Sequence, residues 1–199
     1  MKVKDNIVTT TKLGRPRSLD IKQAATIAMN LFWERGYETV GIADLTKAMS
    51  IKPPSLYAAF GNKAGLLEKA LEQYQSQEGK NFKPAFDAKT KEEFIKKLFS
   101  TAANSYTKHK TLKGCLVLEG TRNTADKTAL EISTRFVLST HEAISEKLSQ
   151  LNVENNLTIA DLCITVLFGL SAYAKAGISR ERLQAVAHKM SEGIVININ

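Results

Sequence analysis

Cysteine is nearly absent: the 199 residues hold only Cys115 and Cys163. Two thiols so far apart provide neither a disulfide framework nor a thiolate metal site, and such sparing use fits a reducing compartment, so a cytoplasmic location is expected. Histidine is as scarce. His109, His141 and His188 stand apart from one another and from any paired nucleophile, which argues against zinc and triad chemistry. None of the 11 glycines builds a phosphate-cradling loop. No metal, no cofactor and no catalytic residue is expected, and the chain reads as something other than an enzyme; carboxylates clustered in a deep polar cleft would be the sign against that reading. No apolar run approaches the roughly eighteen residues of a membrane span, and no apolar stretch follows the basic start as in a secretory signal, so no membrane partner is expected. Strand-like alternation, repeats and low-complexity tracts are missing too, which leaves an all-α fold.

Positive charge and apolar residues at helical spacing are what the chain has in quantity. With 43% hydrophobic and 24% charged residues the composition is that of a globular protein able to bury a core without disulfides or metals. The net charge of +8 suits a polyanionic partner, and half of that excess sits in the first eighteen positions, where Lys2, Lys4, Lys12, Arg15 and Arg17 face only Asp5. Residues 1–17, broken by Gly14 and Pro16, read as a flexible basic arm.

Behind the arm, Asp20 can cap a helix with Ala24, Ile27, Ala28, Leu31 and Phe32 on one face, ending near Gly36. Ile42, Leu45, Thr46 and Met49 stripe a short second helix. Only Ser50, Ile51 and Lys52 separate it from a third that opens on Pro53 and Pro54, where a missing N–H goes unfelt. Gly61 and Asn62 break and recap the chain before a fourth helix carrying Leu66, Leu67, Ala70, Leu71 and Tyr74. Residues 18–74 therefore read as a three-helix DNA-binding head with a helix-turn-helix, its fourth helix leading out. The polar segment from Gln75 to Thr90 reads as a hinge pinned by Phe82 and Phe86, and residues 75–199 as a larger helical domain, about nine helices in all. In that domain Leu130, Phe136, Val137, Thr140, Ile144 and Leu148 form the expected inward face of one long helix, and Leu157 to Ala176 a helix too apolar all round for one core to cover.

Two short helices joined by a three-residue turn can set the second into a major groove while the others rest on the backbone. The run Gly36-Tyr37-Glu38-Thr39, then Ile42-Ala43-Asp44-Leu45, then Ser50-Ile51-Lys52-Pro53-Pro54-Ser55-Leu56-Tyr57-Ala58-Ala59-Phe60-Gly61-Asn62-Lys63 makes the pattern specific. It resembles the TetR/AcrR family of bacterial transcriptional regulators over about residues 14–71. Lys113-Gly114-Cys115-Leu116-Val117 looks like the Gly-Cys segment of a branch that shares the Pro-Pro-Ser-Leu-Tyr-Ala-Ala-Phe-Gly recognition segment.

That resemblance implies a homodimeric regulator, by the family's habit a repressor, that binds double-stranded DNA at a palindromic operator and is released by a small-molecule effector. It places Tyr57 and Lys63 on phosphates, Lys52, Pro54, Ser55 and Ala58 toward base edges, and Arg15 and Arg17 in the minor groove. Plain alternatives stand beside these roles: Tyr57 packing on Phe60 and Leu45, Lys63 solvated, the arm merely solubilising. The family pattern also implies dimerisation through Leu162, Val166, Leu170, Leu183, Val186 and Met190, and a ligand site lined by Phe94, Leu98, Tyr106, Phe136, Thr140 and His141. A constitutive dimer without a ligand, or redox sensing at Cys115 beside Lys113 and Lys110, are the alternatives. The chain departs from the family at Gly41, where a capping Ser or Thr is usual, and at Ser50, where the inter-helix turn usually carries glycine.

Overall fold

The computed structural model describes residues 19–197, among which every regular element is helical. In order these are α1 (Ile21–Arg35), α2 (Ile42–Met49), α3 (Pro53–Phe60), α4 (Lys63–Glu78), a 3-10 turn (Gly79–Phe82), α5 (Lys83–Phe86), α6 (Lys91–Thr107), α7 (Leu116–Glu119), α8 (Lys127–Gln150), α9 (Asn156–Lys175) and α10 (Arg180–Asn197).

Local chemistry sets the boundaries. Asp20 Oδ1 accepts the N–H groups of Lys22 and Gln23 at 2.9 and 3.1 Å, starting α1. At α2 the glycine at the cap has no oxygen to offer, and Asp44 serves instead, its carboxylate accepting the Gly41 N–H at 3.0 Å while Arg35 lies 3.3 Å away. Asn62 caps α4 through Gly65 N–H at 2.8 Å. The α2–α3 turn runs through Ser50 in the left-handed region, at φ 55° and ψ 41°. A Cβ is uncomfortable there, and the exposed Ser50 forms no side-chain bond that would be lost. Ser50→Gly should therefore raise stability by about 0.5–1 kcal/mol, seen as a rise of a few degrees in the thermal midpoint; a fall would mean that the hydroxyl has an unrecognised role.

Phe32, Trp33, Tyr37, Leu45, Leu56 and Leu67 fill the head and Phe94, Leu98, Phe99, Leu148 and Cys163 the body, as parts of one connected core. α4 packs on both α1 and α8, and α6 on α9 and α10. The expected hinge is not open chain: α4 continues to Glu78, and the 3-10 turn and α5 carry the backbone on to Phe86. Phe82 and Phe86 pack partly buried against the core, as expected.

The start of α8 is turned relative to the expected stripe. Ala129, Ile132 and Ser133 face inward and Leu130 and Leu138 are exposed, because Ser133 sits close enough to α7 to donate to the Val117 carbonyl at 3.2 Å. A leucine would not fit that approach. α9 is long and apolar enough to cross a membrane by composition, yet it packs on α6, α8 and α10 of its own chain, with its outward face uncovered.

Candidate nucleic-acid interface

Helix α3 is two turns long and is anchored by Leu56, with Phe60 packing partly buried at its end. Leu56 is wholly buried against the head, while Lys52, Pro54, Ser55, Tyr57 and Ala58 are exposed. With Pro53 and Pro54 in its first turn, the helix starts abruptly at Lys52 and presents its N-terminal end outward. Tyr57 remains 47% exposed, so its ring is not absorbed by packing on Phe60 and Leu45. Arg15 and Arg17 lie outside the described residues.

Lys63, the first residue of α4, is held in a way the sequence did not suggest. Its Nζ lies 4.1 Å from the centre of the Tyr37 ring, and the Tyr37 hydroxyl donates to Asp126 Oδ2 at 2.5 Å. Partial burial lowers the Lys63 ammonium from its ordinary value, against the pull of Glu38 and Asp126. Burial, and then the bond to Asp126, raises the Tyr37 phenol; that bond and the Ala129 N–H hold the Asp126 carboxyl below the usual range. Asp126 also caps α8, so one carboxylate joins the recognition head to the start of the longest helix.

Further bonds cross the same junction. The Tyr37 N–H reaches the Gly120 carbonyl at 2.8 Å, Trp33 Nε1 donates to the Lys113 and Gly114 carbonyls at 3.1 Å, and Thr124 Oγ1 donates to Glu38 at 2.6 Å. Arg135 pairs with Glu68 at 2.7 Å. Gly114 is required here: its φ is +70°, and a Cβ would lie 2.8 Å from Ser171 Oγ and 2.9 Å from the Ser171 carbonyl. That close approach lets Cys115 N–H donate to Ser171 Oγ at 2.8 Å.

The segment that grips the head also walls a cavity of about 240 Å³ in the body, lined by Tyr74, Glu78, Phe82, Phe86, Leu98, Tyr106, Cys115, Val117, Leu118, Thr140, Ile144 and Leu167 among others. Of the six residues expected to line a ligand site, Leu98, Tyr106 and Thr140 do so. Phe94 lies behind the wall, fully buried with its ring edge-on to Phe86. Phe136 packs partly buried elsewhere on α8, and His141 turns to α9, its Nε2 3.0 Å from Asp161. The turn of α8 that brings Thr140 and Ile144 inward carries both away from the cavity. Tyr74, Glu78 and Cys115 were missed as lining residues. Glu78 fell in the segment expected to be a hinge, and only the continuation of α4 to that residue sets it four positions beyond Tyr74 on one helix.

Cys115 is buried. Burial pushes its thiol up, opposed by hydrogen bonds from the Tyr74 hydroxyl, from the Leu118 and Val117 backbone, and from the Tyr106 hydroxyl. Lys113 does not activate it, since its Nζ donates to the Thr107 carbonyl at 3.2 Å. Burial lowers the Lys175 ammonium from its ordinary value, and Glu119 opposes that.

On α9 and α10, Leu162, Val186 and Met190 are 43%, 39% and 43% exposed, with Tyr173 beside them at 46%. Val166 is nearly covered. Leu170 and Leu183 are buried inside the protomer at 2% and 0%, so they back this face and do not form it, which corrects the expected set: the helical stripe that packs on α6 had been read as facing outward. No group of His, Cys, Asp and Glu able to hold a metal occurs among the described residues.

Residues 26–70 match the model of the tetR family of bacterial regulatory proteins. The chain is 34% identical over 182 residues to the HTH-type transcriptional repressor BdcR of Escherichia coli (strain K12), spanning 91% of this chain and 92% of that one. To the HTH-type transcriptional repressor ComR of the same organism it is 29% identical over 186 residues, 87% of this chain and 88% of the other. Among solved structures, the TetR family transcriptional regulator CifR, as a cysteine mutant in complex with 26-base-pair operator DNA, superposes with a TM-score of 0.81 at 33% identity, covering 89% of this chain and 98% of that one. With a likeness that runs from the helix-turn-helix through the body, this chain belongs to the TetR family and is a DNA-binding transcription regulator, not an enzyme.

Proposed function

We propose that this protein is a homodimeric repressor that acts in the cytoplasm, binds a palindromic operator through α3 and lets go when a small molecule fills the body. The observation that carries this reading is the exposed face of α3, with Leu56 as its only buried side chain. A two-turn helix held by Leu56 and the partly buried Phe60 presents its remaining surface to a groove about 12 Å wide. Pro54, Ser55, Ala58 and Lys52 select sequence, and Tyr57 and Lys63 fix register on phosphates. The head, residues 18–74, reads DNA; the body, residues 75–199, pairs two copies, so that two α3 helices meet half-sites about one helical turn or more apart.

Release follows from the junction. Cys115, Val117 and Leu118 touch the cavity, and the same stretch of chain holds Trp33 and Tyr37 through Lys113, Gly114 and Gly120. A ligand that displaces α7 therefore changes how the head is held, and it weakens operator binding only by its preference for the displaced arrangement.

Selection of bound sequences from random DNA with purified protein tests the reading, and enrichment of a two-fold symmetric site is the expected result. In the same assay Tyr57→Phe and Lys63→Ala should weaken all sites alike, and the lysine change should lower the salt slope by about one. A changed sequence preference in either variant would mean that the residue faces bases instead.

A second reading, thiol-based sensing at Cys115, is favoured by the position of Sγ on the cavity wall between two tyrosine hydroxyls. Under it, Cys115→Ser keeps operator binding and loses response to thiol-reactive compounds. Reversible ligand binding instead leaves that variant responsive.

A further inference from the structure

The cavity in the body is small, and its lining carries little charge. A dry cavity of about 150 Å³ holds one benzene molecule, so 240 Å³ takes a single ring with a short substituent and is too small for a nucleotide-bearing effector. Its inner wall is apolar and aromatic. Among the described residues that line it there is no lysine, arginine or histidine, and the one carboxylate is that of Glu78.

Glu78 is only 8% exposed. Its Oε2 accepts from the Asn81 amide at 2.8 Å, whereas Oε1 has the Lys108 ammonium at 3.8 Å and His109 Nε2 at 3.7 Å, at ion-pair distance for the lysine but past hydrogen-bond reach for both. Both follow the end of α6, and neither lines the cavity. Oε1 thus makes no hydrogen bond within the chain and can accept one from a short donor, and a second negative charge brought beside this largely buried carboxylate is disfavoured.

Resting on the effector-release reading above, we infer that the effector is a compact ring compound, uncharged or cationic, whose amine or hydroxyl head donates to Glu78 Oε1, and that carboxylates of the same size are rejected. Rejection is the sharper half of the statement, because carboxylate ligands call for a basic side chain that this wall does not have.

Calorimetry on the full chain with 2-phenylethylamine, 2-phenylethanol and phenylacetate tests it. The amine and alcohol should bind at least about tenfold more tightly than the carboxylate, and Glu78→Gln should narrow that ratio to about threefold or less. Ala143→Trp, at the exposed mouth of the cavity, should abolish binding of all three, and it keeps the question answerable if the Glu78 variant does not fold. Phenylacetate binding as well as the others, no binding by any probe, an unchanged ratio in Glu78→Gln, or undiminished binding to Ala143→Trp would each overturn the assignment. A gel shift at saturating probe separates the two levels. Probes that bind in the stated order without releasing DNA leave the ligand class standing and refute release, whereas release by an acidic compound refutes the class and leaves release standing.

Discussion

Ala58→Glu is expected to remove specific operator binding, with a loss of at least about a hundredfold, while leaving the fold intact. Ala58 lies one turn beyond Pro54 and Ser55 on α3, exposed and away from Leu56. Glutamate is a good helix former, so the substitution disturbs little in the free protein, and exposed changes of this kind shift stability by about 0.5 kcal/mol or less. On DNA the same carboxylate is brought against base-edge acceptors and flanking phosphates, and like-charge juxtaposition at an interface costs several kcal/mol. Ser149→Glu, an equal change of net charge at an exposed site on the far end of α8, controls for the general loss of attraction to a polyanion and should weaken binding only slightly. Fluorescence anisotropy with the selected operator and a scrambled duplex measures both. If Ala58→Glu binds within a few-fold of the parent, α3 does not enter the groove by this face.

Much of this interface was legible in the sequence because it depends on short-range chemistry. The two prolines fix where α3 begins, Leu56 at one position fixes which face turns inward, and Gly61-Asn62 fixes where α4 starts; each works within a few residues. Ser50 in a left-handed turn was legible only through the resemblance, as the position where the family usually carries glycine. The roles of Tyr37, Asp126 and Trp33 were not, since their partners lie 80 to 89 residues away and no local pattern encodes that distance. In the body, periodicity gave each helix but not its rotation. At the start of α8, Ser133 faces α7 and Leu130 is exposed, while further along His141 faces Asp161 of α9. A face assigned from apolar spacing alone cannot show a small polar side chain admitting a close neighbour. Leu170 differs for a related reason, since α9, apolar all round, offers two stripes and the sequence does not say which meets its own core; on α10 the apolar set divides, Leu183, Ala187 and Ile194 turning inward and Val186 and Met190 outward.

The exposed stripe leads to the second large effect. Leu162→Glu with Met190→Glu should convert a dimer into a monomer of 21.9 kDa and lower affinity for a two-half-site operator by about a hundredfold or more. Leu162, Tyr173, Val186 and Met190 are large apolar side chains on adjacent helices, each about 40% exposed or more, and a ridge of that kind marks a surface meant to be covered. Gly169 lies on α9 with open space where a Cβ would stand, so a second helix can come close. In a two-fold interface a residue near the axis meets its own copy, so each glutamate is doubled and loses water against a like charge. Arg182 and Lys189 are exposed on α10, and the doubly substituted chain keeps enough charge to stay in solution. Sedimentation velocity gives the mass, and binding to a single half-site should change by no more than a few-fold, because neither substituted residue lies on α3 or on α1, α2 and α4, which support it. A variant that stays dimeric would place the interface elsewhere on the body, with the groove between α8 and Phe168 that exposes Leu130 and Leu138 as the next surface to substitute.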